Sequence, residues 1–159
     1  MSFDFRGSLE KGKEAAEQVL VYRDEVRSVI HAIESNLKEF LGLEINFDYA
    51  DEFEKSDEET LIDNTARAII AGLDYNQRFK NRKKTGYKLV RIKLDGNLSV
   101  PLFSMQQCVN GYPVYIKSNN RTFTCMTQEE LISTFSIVLE DPSIHLKINQ
   151  FRKNVLNSQ

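Results

Sequence analysis

The stretch YKLVRIKLDGNLSVPLFSM, residues 87–105, contains two runs of alternating apolar and polar side chains on either side of Asp95-Gly96. A period of two is typical of a half-buried strand, and Asp-Gly is a favoured pair for a tight turn. The stretch therefore predicts an antiparallel hairpin in the middle of the chain.

Two more strands follow in NGYPVYIKSNNRTFTCM, residues 110–126. Asn110-Gly111 is a strong hairpin signal ahead of them, and Asn119-Asn120 predicts the turn between them. Upstream, LEINFDYADEF, residues 43–53, also alternates and predicts a shorter strand. The sequence thus indicates an antiparallel meander of four or five strands.

A long first helix precedes the strands. Ser8 is a favourable N-cap residue and Gly42 supplies a left-handed end position, so the helix is expected to run from Ser8 to about Leu41. Its apolar residues form two stripes: Ala15, Val19, Tyr22, Val26, Val29, Ile33 and Phe40 in one, and Ala16, Leu20, Ile30, Leu37 and Leu41 in the other. So wide a surface favours burial within the helix's own domain. A homodimer through the first helix is the alternative, since the first stripe has the 4-3 spacing of a coiled coil.

Three further helices complete the expected fold. Ser56 and Glu59 form a capping box ahead of a second helix over about 57–73, before the meander. Thr127 with Glu130 marks the start of one C-terminal helix, and Pro142 suits the first turn of another. Helices at the ends of a run of strands indicate the α+β class, with residues 1–159 as a single domain.

Composition agrees with that class. The chain has 159 residues, of which 41% are hydrophobic and 28% charged, as expected of one folded domain. It has no apolar run long enough to span a membrane and no signal peptide at its start, so a cytoplasmic protein without a membrane partner is expected. Cys108 and Cys125 lie in apolar stretches and are expected to be buried free thiols.

Charge is distributed unevenly along the chain, although the formal net charge is only -2. Residues 44–63 carry nine acidic side chains and one basic one, whereas residues 78–94 carry eight basic side chains and no acidic one. Each segment is a candidate binding surface if the two lie apart in the fold. If they lie side by side, they neutralise each other and both candidates lose much of their electrostatic basis.

The acidic segment gives the preferred functional hypothesis, which is binding of a basic protein partner. Acidic residues at a helix start also stabilise the helix dipole, so those of the second helix have a structural explanation. Four acidic residues that precede this helix are the better candidates for partner binding: Asp48, Asp51, Glu52 and Glu54. Glu58, at the start of the helix, is a fifth candidate. A carboxylate-rich surface of this kind suits an inhibitor, an immunity protein or an adaptor.

Nucleic-acid binding through the basic segment is the alternative. Its candidate residues are Arg78, Lys80, Arg82, Lys83 and Lys84. Tyr75, Phe79 and Tyr87 lie among these cations and could stack on bases. The acidic segment of matching size argues against it, because it would repel the same polyanion.

No enzyme signature is present. The seven glycines form no nucleophile elbow, phosphate loop or dinucleotide-binding turn. His31 and Glu34 are spaced like half of a metal site, but a second pair of ligands is missing, so neither a metal nor a cofactor is expected. The chain is therefore predicted to be non-enzymatic, with a small enzyme of unrecognised type as the third possibility.

Overall fold

Three helices and five strands make up the described parts of the chain. The structure is a computed structural model that describes residues 2–54, 83–95 and 98–158. Its elements are α1 (Arg6–Leu41), β1 (Asn46–Phe53), β2 (Lys84–Leu94), β3 (Leu98–Gln107), β4 (Val114–Ser118), β5 (Arg121–Cys125), α2 (Gln128–Glu140) and α3 (Pro142–Asn157). The α+β prediction is confirmed. The helix expected over 57–73 lies outside the described residues.

The five strands form one antiparallel sheet in the order β1-β2-β3-β4-β5, so the predicted meander is confirmed. Asn119 and Asn120 both adopt positive φ, 49° and 63°, and make the two-residue turn between β4 and β5. Asparagine tolerates this left-handed backbone better than most residues, which is why an Asn-Asn pair in the sequence predicts a turn here.

All three helices pack against one face of the sheet. Alternate strand residues such as Val90, Ile92 and Ile116 are fully buried there. The helices contribute Val26, Val29, Ile30, Ile33, Leu37, Leu131, Phe135, Val138, Ile144, Ile148, Phe151 and Val155 to the same core. Side chains of the intervening strand residues, including Ser104 and Lys117, point to the opposite side, which we call the second face.

The helix termini follow the sequence signals closely at α2 and α3. The Thr127 side chain accepts a hydrogen bond from the Glu130 N–H at 3.2 Å, as the capping box predicts. Pro142 is the first residue of α3, and the carboxylate of Asp141 accepts from the Ser143 N–H at 2.8 Å.

The start of α1 differs from the prediction. The helix begins at Arg6, and Ser8 lies inside its first turn. The Asp4 carboxylate accepts a hydrogen bond from the Arg6 N–H at 2.9 Å and so supplies the acceptor that Ser8 was expected to provide. The other end is as predicted, since Gly42 has φ 66° and its N–H donates to the Lys38 carbonyl.

Two other expectations concern the thiols and the membrane. Cys125 is buried as expected, whereas Cys108 follows β3 and is only partly buried; both are free thiols. Within the described residues, no helix combines the length and apolar character that crossing a membrane requires.

Candidate functional site

Strand β1 places the predicted acidic residues directly opposite basic residues of β2. Asp48 lies across from Arg91, and the two side chains form an ion pair. Asp51 lies across from Lys88 and pairs with it, and Lys84 approaches the same carboxylate at 3.1 Å. The described parts of the acidic and basic segments therefore lie side by side in the fold.

Glu52 occupies the centre of a polar network on the second face. Its carboxylate accepts hydrogen bonds from Lys117 of β4 at 2.6 Å and from the Ser104 hydroxyl of β3. Thr85 of β2 donates to it at 3.3 Å. The Lys117 ammonium also lies 4.3 Å from the centre of the Tyr87 ring, within the range of a cation–π contact.

These contacts change the acidity of the carboxylates. Hydrogen bonds from Lys88 and Lys84 lower the pKa of Asp51. Burial raises the pKa of Glu52, but the hydrogen bonds from Lys117 and Ser104 and the Lys117 charge outweigh burial, so its pKa is lowered overall. Both groups are ionised at neutral pH and hold their cations as internal partners.

The pairing removes much of the field on which both charge hypotheses rested. Three predicted acidic site residues, Asp48, Asp51 and Glu52, are neutralised by this chain's own cations. Glu54 is exposed just after β1, and Glu58 lies outside the described residues. On the basic side, Lys84 is held by Asp51 and Lys83 is exposed. Arg78, Lys80 and Arg82 are not among the described residues.

Sequence reasoning missed the partners of Glu52. Ser104 and Lys117 are separated from it by 52 and 65 residues and reach it only through the order and register of the strands. No local pattern in the sequence carries that information.

A second candidate surface lies on the N-terminal half of α1. Phe5, Leu9, Ala16 and Leu20 are all exposed, the larger three at 65%, 73% and 58% of their surface. Separations of four, seven and four residues place these side chains on one side of the helix. We call this set the α1 stripe. It corrects the expectation that the wide apolar surface of α1 is buried in its own domain, which holds only between Val26 and Leu37, since Phe40 is again 57% exposed.

The loop between β3 and β4 contacts α1 at Tyr22, Arg23 and Glu25. The exposed half of the helix lies on the N-terminal side of this contact. The Arg23 guanidinium donates to the Val109 carbonyl at 2.7 Å, and the Tyr112 hydroxyl donates to Glu25 at 2.9 Å. Gly111 approaches so closely that an added Cβ would lie 2.5 Å from the Cβ of Tyr22. Residues N-terminal to this contact project beyond it, and a Cβ added at Gly12 would meet nothing within 4 Å.

The side chains that could serve in catalysis, Glu34, His31 and Cys125, do not form a site together. Glu34 accepts from the Phe47 N–H at 3.2 Å, while His31 is exposed. Burial raises the pKa of the Cys125 thiol, which donates to Thr134 at 3.3 Å. In residues 2–54, 83–95 and 98–158, no three His, Cys, Asp or Glu side chains are grouped as metal ligands.

Comparison with known proteins gives no match: no family model fits this chain, and no curated protein or solved structure is significantly similar to it.

Proposed function

We propose that this chain is a non-enzymatic protein-binding module that docks through the α1 stripe, and that the occupant is the α1 stripe of a second copy. The observation that carries the proposal is a row of exposed apolar side chains on a helix whose N-terminal half has no buried position in the described part of the fold. Exposed apolar rows of this kind mark association surfaces because leaving them in water costs free energy.

The spacing of the stripe favours a second copy. Its 4-7-4 separations read the same in both directions, so a two-fold axis between residues 12 and 13 sets Phe5 opposite Leu20 of an antiparallel copy. Leu9 then lies opposite Ala16. Gly12 falls at the crossing point, where the missing side chain lets two helix backbones approach closely.

Charge and helix stability also favour pairing. Residues 4–17 carry four acidic and three basic side chains, so two copies of this segment repel each other only weakly. An isolated helical segment of this length that contains Gly7 and Gly12 is marginal in water. Burial of the stripe against a second copy supplies the stabilisation that the chain's own fold does not give it.

Binding of a basic protein through Asp48, Asp51, Glu52 and Glu54 is a second proposal with weaker support. A basic partner would have to compete with Lys84, Lys88, Arg91 and Lys117 for these carboxylates. Nucleic-acid binding has no support from the described residues beyond the exposed Lys83.

Sedimentation equilibrium over a wide range of protein concentration tests the proposal. The stripe spans about 22 Å of helix, and four side chains per copy bury less than a standard interface, so a weak, reversible dimer is expected. Leu9→Gln with Leu20→Gln should weaken the dimer at least about tenfold, because each buried leucine contributes about 1.5–3 kcal/mol.

Val21→Gln is the matched control. Val21 is 51% exposed on the same helix, but it points away from the stripe, about 100° further round than Leu20. This variant should dimerise like the wild type. A wild-type chain that stays monomeric at every concentration, or a dimer unaffected by the double substitution, would overturn the proposal.

A further inference from the structure

A notch opens in the sheet where β3 and β4 stop pairing. Their ladder covers only Ser104–Gln107 against Val114–Lys117, although β3 begins at Leu98. Because β4 ends at Ser118, the part of β3 before Ser104 has only β2 as a neighbouring strand, and a cavity of about 430 Å³ lies between that part and the β4–β5 turn. That volume lies within the range of small-molecule sites, which is roughly 300–1,000 Å³.

The notch is lined by cations, by neutral hydrogen-bonding groups and by apolar groups. The polar residues are Ser104, Lys117, Ser118, Asn119, Asn120, Thr122 and Lys147, and the apolar residues are Leu89, Pro101, Leu102 and Phe103. No carboxylate is among these lining residues, although the chain as a whole is slightly acidic. Of the two lysines in the lining, Lys117 is balanced by Glu52, so Lys147 carries the lining charge that no carboxylate of the described residues balances.

Lys147 supplies the available charge. Its ammonium lies 3.4 Å from the Leu102 carbonyl, and within the described residues it forms no ion pair with a carboxylate. Lys117 differs, because Glu52 holds its ammonium at 2.6 Å. A ligand anion that enters the notch can therefore pair with Lys147 without displacing an existing ion pair.

Ser118 provides an independent indication of a ligand. Its side chain is only 9% exposed, and its hydroxyl has no hydrogen-bond partner among the described residues. An unpaired buried hydroxyl costs free energy, so such groups are uncommon in native proteins. A bound oxyanion would provide the missing acceptor in the cavity that Ser118 lines.

We propose that this notch binds a small organic anion, with its carboxylate or phosphate group against Lys147 and Ser118 and its apolar body against Leu89 and Pro101. Both anionic groups accept charge-assisted hydrogen bonds from ammonium and hydroxyl donors. The inference is independent of the α1 stripe, because no residue of α1 lines the notch.

Titration of the full chain by NMR tests the site, with inorganic phosphate, phenyl phosphate and benzoate as probes at constant ionic strength. Saturable shifts of the Ser118 to Thr122 amides are expected, with phenyl phosphate or benzoate binding more tightly than inorganic phosphate because of the apolar wall. Preference for phenyl phosphate over benzoate, or the reverse, distinguishes the two anionic groups.

Two variants and one control make the test specific. Lys147→Gln should weaken binding at least about tenfold through loss of a charge-assisted contact, and Ser118→Ala should weaken it less. Lys153→Gln removes an exposed lysine elsewhere on α3 and should leave binding unchanged. No saturable shift with any probe, or equal losses for Lys147→Gln and Lys153→Gln, would overturn the proposal. If Lys147→Gln fails to fold, unchanged binding by Ser118→Ala overturns it.

Discussion

At the scale of single residues, Glu52 of β1 is the position where side chains from four strands meet. Its carboxylate joins β1 to Lys117 on β4 and to Ser104 on β3. The side chain is only 22% exposed, so the donors around it have limited access to water as a substitute acceptor. The residue therefore has a structural role that a surface carboxylate would not have.

Glu52→Gln should lower the free energy of unfolding by about 1–3 kcal/mol, since the change removes a charged acceptor from partly buried donors. Urea denaturation measures the effect. Glu54→Gln is the control, because Glu54 is exposed just beyond β1 and its change should stay within about 0.5 kcal/mol. Equal stability of the Glu52 variant and the wild type would contradict the role given to the network.

Acid should reveal the same network. The folded state lowers the pKa of Glu52 below its ordinary value, so its contribution to stability is complete above that value, about 4.3, and is lost as pH falls through the lowered one. The wild type should therefore lose more stability than Glu52→Gln on acidification below about pH 4. If the free energy of unfolding falls with pH in parallel for the two proteins, Glu52 has the same pKa in the folded and unfolded states, which would contradict this prediction.

Gly111 is the second residue with a specific requirement. It has φ 97°, and a Cβ there would lie 2.5 Å from the Cβ of Tyr22. Gly111→Ala should destabilise the fold by about 1–3 kcal/mol through backbone strain and this clash. Gly42→Ala separates the two causes, because Gly42 also has positive φ but an open surrounding. A smaller loss for Gly42→Ala, measured by urea denaturation, would identify the clash; equal losses would exclude it.

At the scale of elements, the β1–β2 ladder carries opposite charges on facing positions of its two strands. Asp51→Lys places a like charge opposite Lys88 and should lower the urea midpoint. Adding Lys88→Asp restores opposite charges and should recover much of the loss. Glu44→Lys, an exposed reversal outside β1, should have little effect. If the decreases in urea midpoint of the two single variants add up in the double variant, the Asp51–Lys88 pair contributes nothing to stability.

The apolar period and the turn residues predicted the helices and strands well, because both signals depend only on residues close together in the sequence. Alternation gave the strands, and Asn119-Asn120 gave the β4–β5 turn. The candidate site was less predictable. Lys117 reaches Glu52 only through the register of separate strands, so sequence identified the acidic residue without its partner. The exposed half of α1 was missed because apolar spacing does not indicate where the supporting fold ends.

At the scale of the whole molecule, α1 is longer than the described part of the fold that supports it. Its 36 residues extend about 54 Å, and buried positions occur only from Val26 to Leu37. The N-terminal half therefore has little support from the core, whereas the part from Val26 to Leu37 is held by it.

Amide hydrogen exchange should distinguish the two halves. At high dilution, amides between residues 9 and 20 should exchange much faster than those between 26 and 37, because local opening there breaks few contacts. Raising the protein concentration should slow the first group selectively. Uniform protection along α1 at high dilution would show that the projecting half is stable by itself.

The strand order has a consequence for how the chain acquires its structure in time. Because β2 to β5 follow one another through short connections, each of their pairings closes a small loop. The pairing of β1 with β2 is different, because residues 54–83 separate the two strands in the sequence. Closure of this longer loop costs more conformational entropy. The sheet should grow outward from its C-terminal hairpins, and β1, which carries the acidic residues, should be the last strand to join and the first to leave.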